Sequence, residues 1–181
     1  MGGSPKRLER PALFLKPNSS VIFPGASIVR PRGIGALHHE VELGVIIGRR
    51  CKNVPATADW KSLVSGYCLA LDMTARDQQA AAKAEGLPWT RGKCYDTFCP
   101  LSAIIPASKI PDAHALELYL SVDGQERQRA STGGMLHTIP ELISAITDIM
   151  TLEEGTLFHR RAIDSRRRTK NGHYTFQCSS R

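Results

Sequence analysis

The chain has 181 residues, 41% apolar and 23% charged. That is the make-up of about one ordinary globular domain and excludes collagenous, low-complexity and mostly disordered chains. The net charge of +7 is uneven, with +6 in residues 156–181 and +1 in the rest, so the basicity belongs to a short tail and argues against a nucleic-acid-binding body.

The predicted elements follow in chain order. Ala12 to Leu15 is a short apolar strand ending at Lys16-Pro17, and Val21 to Phe23 is another, stopped by Pro24-Gly25. Residues 26–36, rich in Gly, Pro and Arg, read as a surface loop. Leu37 to Ile47 is a long strand dense in Val, Ile and Leu, and Pro55 to Val64 a short helix. Tyr67 to Met73 is a nearly continuous apolar strand, as expected for one buried on both faces. Thr74 reads as an N-cap with Asp77 in the capping-box position, opening a helix over Ala75 to Ala84 that stops at Gly86. Residues 88–100 look irregular. Leu116 to Val122 alternates, Asp123-Gly124 signals a hairpin, and Gln125 to Arg129 returns. Ile139 to Met150 has helical periodicity with Pro140 near its start, and Glu153-Glu154-Gly155 is a turn after which periodicity fades.

No run approaches the ~18 consecutive apolar residues of a membrane helix; the most apolar stretch, residues 41–48, contains Glu42. Five cysteines (Cys51, Cys68, Cys94, Cys99, Cys178) form no C-x-x-C pair, which fits free thiols in a reducing compartment. The first residues lack the apolar region of a secretory signal.

The sharpest chemical feature is the pair Glu40 and Glu42 within an apolar strand. Alternate strand residues share a face, so two carboxylates would stand side by side, about 6.6 Å apart at the Cα atoms. Such a pair is costly to bury, and a hard divalent cation relieves the cost. A strand with one solvated face is the plain alternative; a zinc or iron site that adds His38 is another. Asp72, at the end of the next apolar strand, is the candidate third oxygen ligand, or else it only helps start the helix. Lys16 and Lys93 are candidates to meet an anionic substrate, and Arg76, Asp77 and Gln79 on the helix to orient ligands, with solvated surface charges as the plain alternative for the lysines, Arg76 and Asp77.

The runs His39-Glu40-Val41-Glu42-Leu43-Gly44, Leu71-Asp72-Met73-Thr74-Ala75-Arg76-Asp77 and Gly86-Leu87-Pro88-Trp89-Thr90 resemble the fumarylacetoacetate hydrolase superfamily, and most of all its eukaryotic mitochondrial acylpyruvase branch, also described as oxaloacetate decarboxylases or tautomerases. Phe14-Leu15-Lys16-Pro17 and residues 135–142 fit as well. The resemblance implies an α+β fold: a β-dominated mixed-sheet roll or sandwich with a few short helices, incomplete at both ends. It covers a domain over residues 11–155, followed by a divergent basic tail, 156–181, disordered or loosely packed. It implies Mg²⁺, with Mn²⁺ as an alternative, on Glu40, Glu42 and Asp72, with Lys93 and Lys16 catalytic and Arg76 and Gln79 binding substrate. The implied activity is cleavage of acylpyruvates, or decarboxylation or tautomerisation of oxaloacetate. A 2-oxo acid would be the substrate and a homodimer, or a mixed dimer with a longer chain, the assembly. No membrane or nucleic-acid partner is implied. Location would be mitochondrial, with the cytosol as alternative.

The chain departs from the family pattern twice. Residues 1–10 contain no histidine, so the family's water-activating His-x-x-Glu pair is not there. After Gly155, where the family has Gly-Asp-x-Ile-x-Thr-Gly-Thr-Pro-x-Gly with its substrate-binding threonine, this chain reads Thr156-Leu157-Phe158-His159-Arg160-Arg161. The expectation is a shortened gene product that binds metal with impaired hydrolase activity and has lower stability, because missing strands leave exposed edges. The other expectation is an inactive scaffold or dimer partner of the full-length enzyme.

Overall fold

In the computed structural model, which describes residues 7–161 and 174–180, eleven strands and three α-helices are formed. They are β1 (Val21–Ile22), β2 (Leu37–His38), β3 (Val41–Ile47), β4 (Val64–Leu71), β5 (Thr74–Ala75), α1 (Arg76–Ala84), α2 (Thr90–Lys93), β6 (Cys99–Pro100), β7 (Ile105–Pro106), β8 (Leu116–Val122), β9 (Gln125–Ser131), α3 (Ile139–Ile149), β10 (Leu157–Arg161) and β11 (Tyr174–Ser180). An antiparallel four-stranded sheet runs in the order β10-β3-β4-β7, and a three-stranded one in the order β11-β8-β9. Two short pairs complete the set, β1 with β6 in parallel and β2 with β5 antiparallel. The fold is α+β and strand-rich, with mixed pairing, as the resemblance implies. No helix among the described residues is long and apolar enough to cross a membrane.

Alternation decides what each sheet faces. Val41, Leu43 and Val45 from β3, with Leu69 and Leu71 from β4, pack in one buried cluster with Leu116, Leu118 and Leu120 of β8 and Ala130 of β9. Burying these aliphatic side chains stabilises the sandwich by roughly 1.5–3 kcal/mol each. The intervening residues face the opposite side of the four-stranded sheet, and there the polar site is built. Two turns follow their sequence signals. Asp123 and Gly124 take φ of 53° and 75°, the two positive values that a type I′ hairpin needs. At the end of α1, Gly86 (φ 69°) donates its N–H to Lys83 O and Leu87 N–H donates to Ala82 O, a Schellman closure.

Several expectations are corrected. The long strand over Leu37 to Ile47 is broken at His39-Glu40, because its halves pair with different partners: β2 with β5 and β3 with β4. Gln128 of β9 secures the break: Val41 N–H donates to its Oε1 at 2.8 Å, and its Nε2 donates to Val41 O at 3.2 Å. Ala12 to Leu15 forms no strand; its apolar character serves contact with the ring of Trp89, on which Phe14 stacks at 4.7 Å. Only Trp60–Leu63 of the expected helix over Pro55 to Val64 is helical, as a 3₁₀ turn. Just upstream, the carbonyl and hydroxyl oxygens of Thr147 accept the N–H groups of Asn53 and Val54 and tie the chain before Pro55 to α3. Thr74 is no N-cap: Ala75 occupies that place, Thr74 Oγ1 accepts from Lys93, and Asp77 accepts from Gly35 N–H. Residues 88–100, expected to be irregular, contain α2 and β6.

The sequence places the end of the folded body at residue 155, yet Leu157–Arg161 pairs with β3, and the backbone of Tyr174–Ser180 pairs with β8. Hydrogen bonding to a partner strand supplies what the local periodicity lacks. Residues 162–173 of the expected tail lie outside the described residues.

Candidate active site

The site forms on the face of β3 and β4 that turns away from the sandwich core. Glu42 lies opposite Ala70 and Gly44 opposite Cys68, so Cys68, Ala70 and Asp72 share the face of Glu42. Asp72 N–H donates to Glu40 O at 2.8 Å, which prolongs the ladder past β3 and brings Glu40 beside Asp72. One carboxylate oxygen from each of Glu40, Glu42 and Asp72 then lies within 4.8 Å of the others. Among the described residues this is the one such acidic group, and His38 does not join it. His38 sits on β2 opposite Thr74, across the break in the strand, which removes the expected shared face with the glutamates.

Lysines close over Asp72. Lys16 Nζ lies 3.0 Å from Asp72 Oδ1, surrounded by the carbonyl oxygens of Met73 (3.1 Å), Lys93 (2.6 Å) and Phe98 (2.9 Å). Lys93 Nζ donates to Asp72 Oδ2 and to Thr74 Oγ1, the latter at 2.7 Å. Arg76 Nη1 donates to Gln79 Oε1 at 2.6 Å, so α1 presents a tethered guanidinium. Asp77, the remaining candidate on α1, spends its carboxylate on Gly35 N–H at 2.9 Å. Lys16, Glu40, Glu42, Asp72, Arg76, Gln79 and Lys93 all line one cleft of about 970 Å³, whose apolar wall includes Phe14, Val21, Leu101 and Trp89.

Two further residues reach this site from β10. His159 Nδ1 is 2.6 Å from Glu42 Oε2, and Arg161 Nη1 donates to Glu40 Oε1 at 2.7 Å. Their register explains the contact. Arg161 lies opposite Glu42 and His159 opposite Gly44, so both side chains stand on the carboxylate face. Phe158, which precedes His159 and so takes the opposite face, packs on the sandwich core. Gly44 keeps the crossing open: a Cβ there would lie 2.5 Å from Cys68 Sγ and 3.0 Å from Leu157 Cδ1. Sequence reasoning misses His159, Arg161 and Thr74. The first two lie in a run with the composition of a solvated basic tail, where the only strand signal is the apolar pair Leu157-Phe158. Thr74 carries the local signature of a helix cap.

The charges are strongly coupled. Burial pushes the Glu40 carboxyl above its usual range; Arg161 opposes this, while neighbouring Glu42 adds to it. Burial would also raise Asp72, but Lys93 and Lys16, with His159 behind them, outweigh it and hold this carboxyl below its ordinary value. His159 is pushed up to about 10: burial disfavours its charged form, but hydrogen bonds to Cys99 and Glu42, and the charges of Glu42 and Asp72, prevail. Hard oxygen donors at this spacing fit a divalent cation such as Mg²⁺ in donor type.

Fold and site together describe a sheet-borne cluster of carboxylates and lysines, buried at the base of one cleft. The family model described as fumarylacetoacetate (FAA) hydrolase C-terminal matches residues 3–161. The mitochondrial oxaloacetate tautomerase FAHD2 of Oryza sativa subsp. japonica is 53% identical over 150 residues, covering 81% of this chain and 66% of the relative. The mitochondrial oxaloacetate decarboxylase of Dictyostelium discoideum is 50% identical over 151 residues, covering 81% of this chain and 67% of the relative. The crystal structure of 5-carboxymethyl-2-hydroxymuconate delta-isomerase from Mycobacterium smegmatis superposes with a TM-score of 0.84 at 36% identity, covering 99% of this chain and 67% of that one. The chain therefore belongs to the fumarylacetoacetate hydrolase family, a family of enzymes that generally depend on divalent metals, and it spans about two thirds of the length of these relatives.

Proposed function

We propose that this chain acts on oxaloacetate in mitochondria, interconverting its keto and enol forms, with decarboxylation to pyruvate as the companion reaction. The observation that carries the reading is the convergence of Glu40, Glu42 and Asp72 beneath Lys16 and Lys93 in one cleft. The names of the relatives support the choice of substrate. Glu40, Glu42 and Asp72 would hold Mg²⁺ or Mn²⁺, which supplies Lewis acidity toward a carbonyl oxygen when bound.

The chain's own groups do the rest. Lys93 Nζ, braced by Asp72 and Thr74, donates a hydrogen bond to the substrate oxygen that gains charge on enolisation. Lys16, fixed among three backbone carbonyls, adds a second positive charge on the same side. Arg76, tethered by Gln79, offers its guanidinium to a substrate carboxylate. Enolate stabilisation serves tautomerisation and decarboxylation alike. Acylpyruvates are the second substrate class, supported by the apolar wall of Phe14, Val21 and Leu101, which suits an acyl chain.

The test is a dual assay of oxaloacetate with added Mg²⁺: ultraviolet absorbance follows the enol and a coupled enzyme follows pyruvate. At least about tenfold acceleration over buffer is expected, lost in Glu42→Gln. Absence of acceleration with both oxaloacetate and acetylpyruvate overturns the proposal.

A further inference from the structure

Three carboxylates in this site face four basic side chains. Asp72 is shared by Lys16 and Lys93, Glu42 is engaged by His159, and Glu40 by Arg161. The side chains are nearly closed to solvent: Glu42 is 8% exposed, Glu40 12%, His159 17% and Arg161 21%. Each of the three carboxylates already has an oxygen in a charge-assisted contact of low hydration, where Coulomb interactions are strongest. Adding a doubly charged ion while Lys16, Lys93 and Arg161 stay in place would crowd five positive charges against three carboxylates.

The two lysines have further anchors, in three carbonyls and Thr74. The β10 pair is differently placed. β10 is an edge strand of its sheet among the described residues, hydrogen-bonded to β3 alone. Edge elements open locally at lower free energy than central strands.

We propose that β10 is a built-in competitor for the metal: Arg161 and His159 engage the carboxylates of Glu40 and Glu42 that a divalent cation needs, and the cation enters only as these two side chains withdraw. The inference rests on the metal-site reading above. It makes the Leu157–Arg161 segment a regulator of metal loading. The apolar Leu157 and Phe158 hold the strand to the sheet, while its charged end engages the site. A substrate with two carboxylates would favour loading, since it offers the displaced cations new partners.

Binding of Mn²⁺, followed by loss of the free-ion electron paramagnetic resonance signal, tests this without any assay of activity. The unmodified chain and its Arg161→Met/His159→Leu variant are compared at one pH and one ionic strength. Affinity is expected to rise at least about tenfold in the variant, from removal of the Arg161 charge and of both competing hydrogen-bond partners. Equal affinity in both proteins overturns the competitor and leaves the metal site standing. Failure of both to bind overturns the metal-site reading and the inference with it. Should the double variant not fold, the unmodified protein decides: on adding saturating Mg²⁺, the nuclear magnetic resonance signals of the His159 ring and the Arg161 Nε–H must shift as the contacts break. Mg²⁺ bound with those signals unmoved refutes the displacement.

Discussion

The two faces of the four-stranded sheet are built from the same strands in alternation, yet they obey opposite rules. On one face Val41, Leu43, Val45, Leu69 and Leu71 bury aliphatic surface against β8, where any residue of similar size and polarity would serve. On the other, Glu40, Glu42 and Asp72 bury charge, where each residue is tolerated only because named partners neutralise it. The first face supplies the stability that the second draws on. A family scaffold can thus hold a demanding polar cluster because the opposite side of the same strands is an ordinary core.

Leu71→Ala is the largest test of that division. Leu71 is fully buried, and the substitution should cost about 4 kcal/mol of unfolding free energy in urea titration. In the fraction that remains folded, Mn²⁺ affinity should stay unchanged, because Leu71 points away from the carboxylates. A loss of affinity comparable to the loss of stability would mean that the two faces are not separable.

Asp72→Asn tests the other side. It leaves the shape intact but strips two buried lysines of their shared counter-charge, and should cost about 3 kcal/mol. Here metal binding should fall with stability. A D72N variant as stable as the parent would show that the carbonyls around Lys16 and the hydroxyl of Thr74 satisfy the lysines unaided.

Cys68 gives the smallest and most local measurement. It stands on the site face, but in its apolar part, with Ala70, Cys99 and Leu101. Burial, with a contribution from Cys99, pushes its thiol from 9.0 up to about 12. In the unfolded chain the thiol ionises near its ordinary value, so the unfolded state binds fewer protons above pH 9 and stability falls as pH rises. The loss should reach about 2 kcal/mol near pH 10.5, and Cys68→Ala should remove that part of the slope. An unaltered slope in the variant would place the alkaline loss elsewhere, for example at buried Tyr67, whose hydroxyl is also pushed up by burial.

Much of this molecule is written in local pattern. Apolar runs mark β3 and β4, period-two alternation marks β8, the Asp123-Gly124 pair marks the hairpin, helical spacing marks α3, and Glu40, Glu42 and Asp72 stand out as acids in apolar strands. Such features depend on residues two to four apart, and a sequence displays those directly. The break at His39-Glu40 is not legible, because Gln128, nearly ninety positions away in the chain, helps to hold it. Nor is the reassignment of Thr74 from helix cap to lysine partner, which depends on where α2 packs. The basic run after Gly155 has the composition of a solvated tail, and only pairing with β3 turns His159 and Arg161 into the site. Composition and spacing settle which side chains are available and which face each one takes along its own strand. Which charges finally meet depends on strand pairing across a hundred residues or more, where the energy of burial in the assembled fold outweighs any local preference.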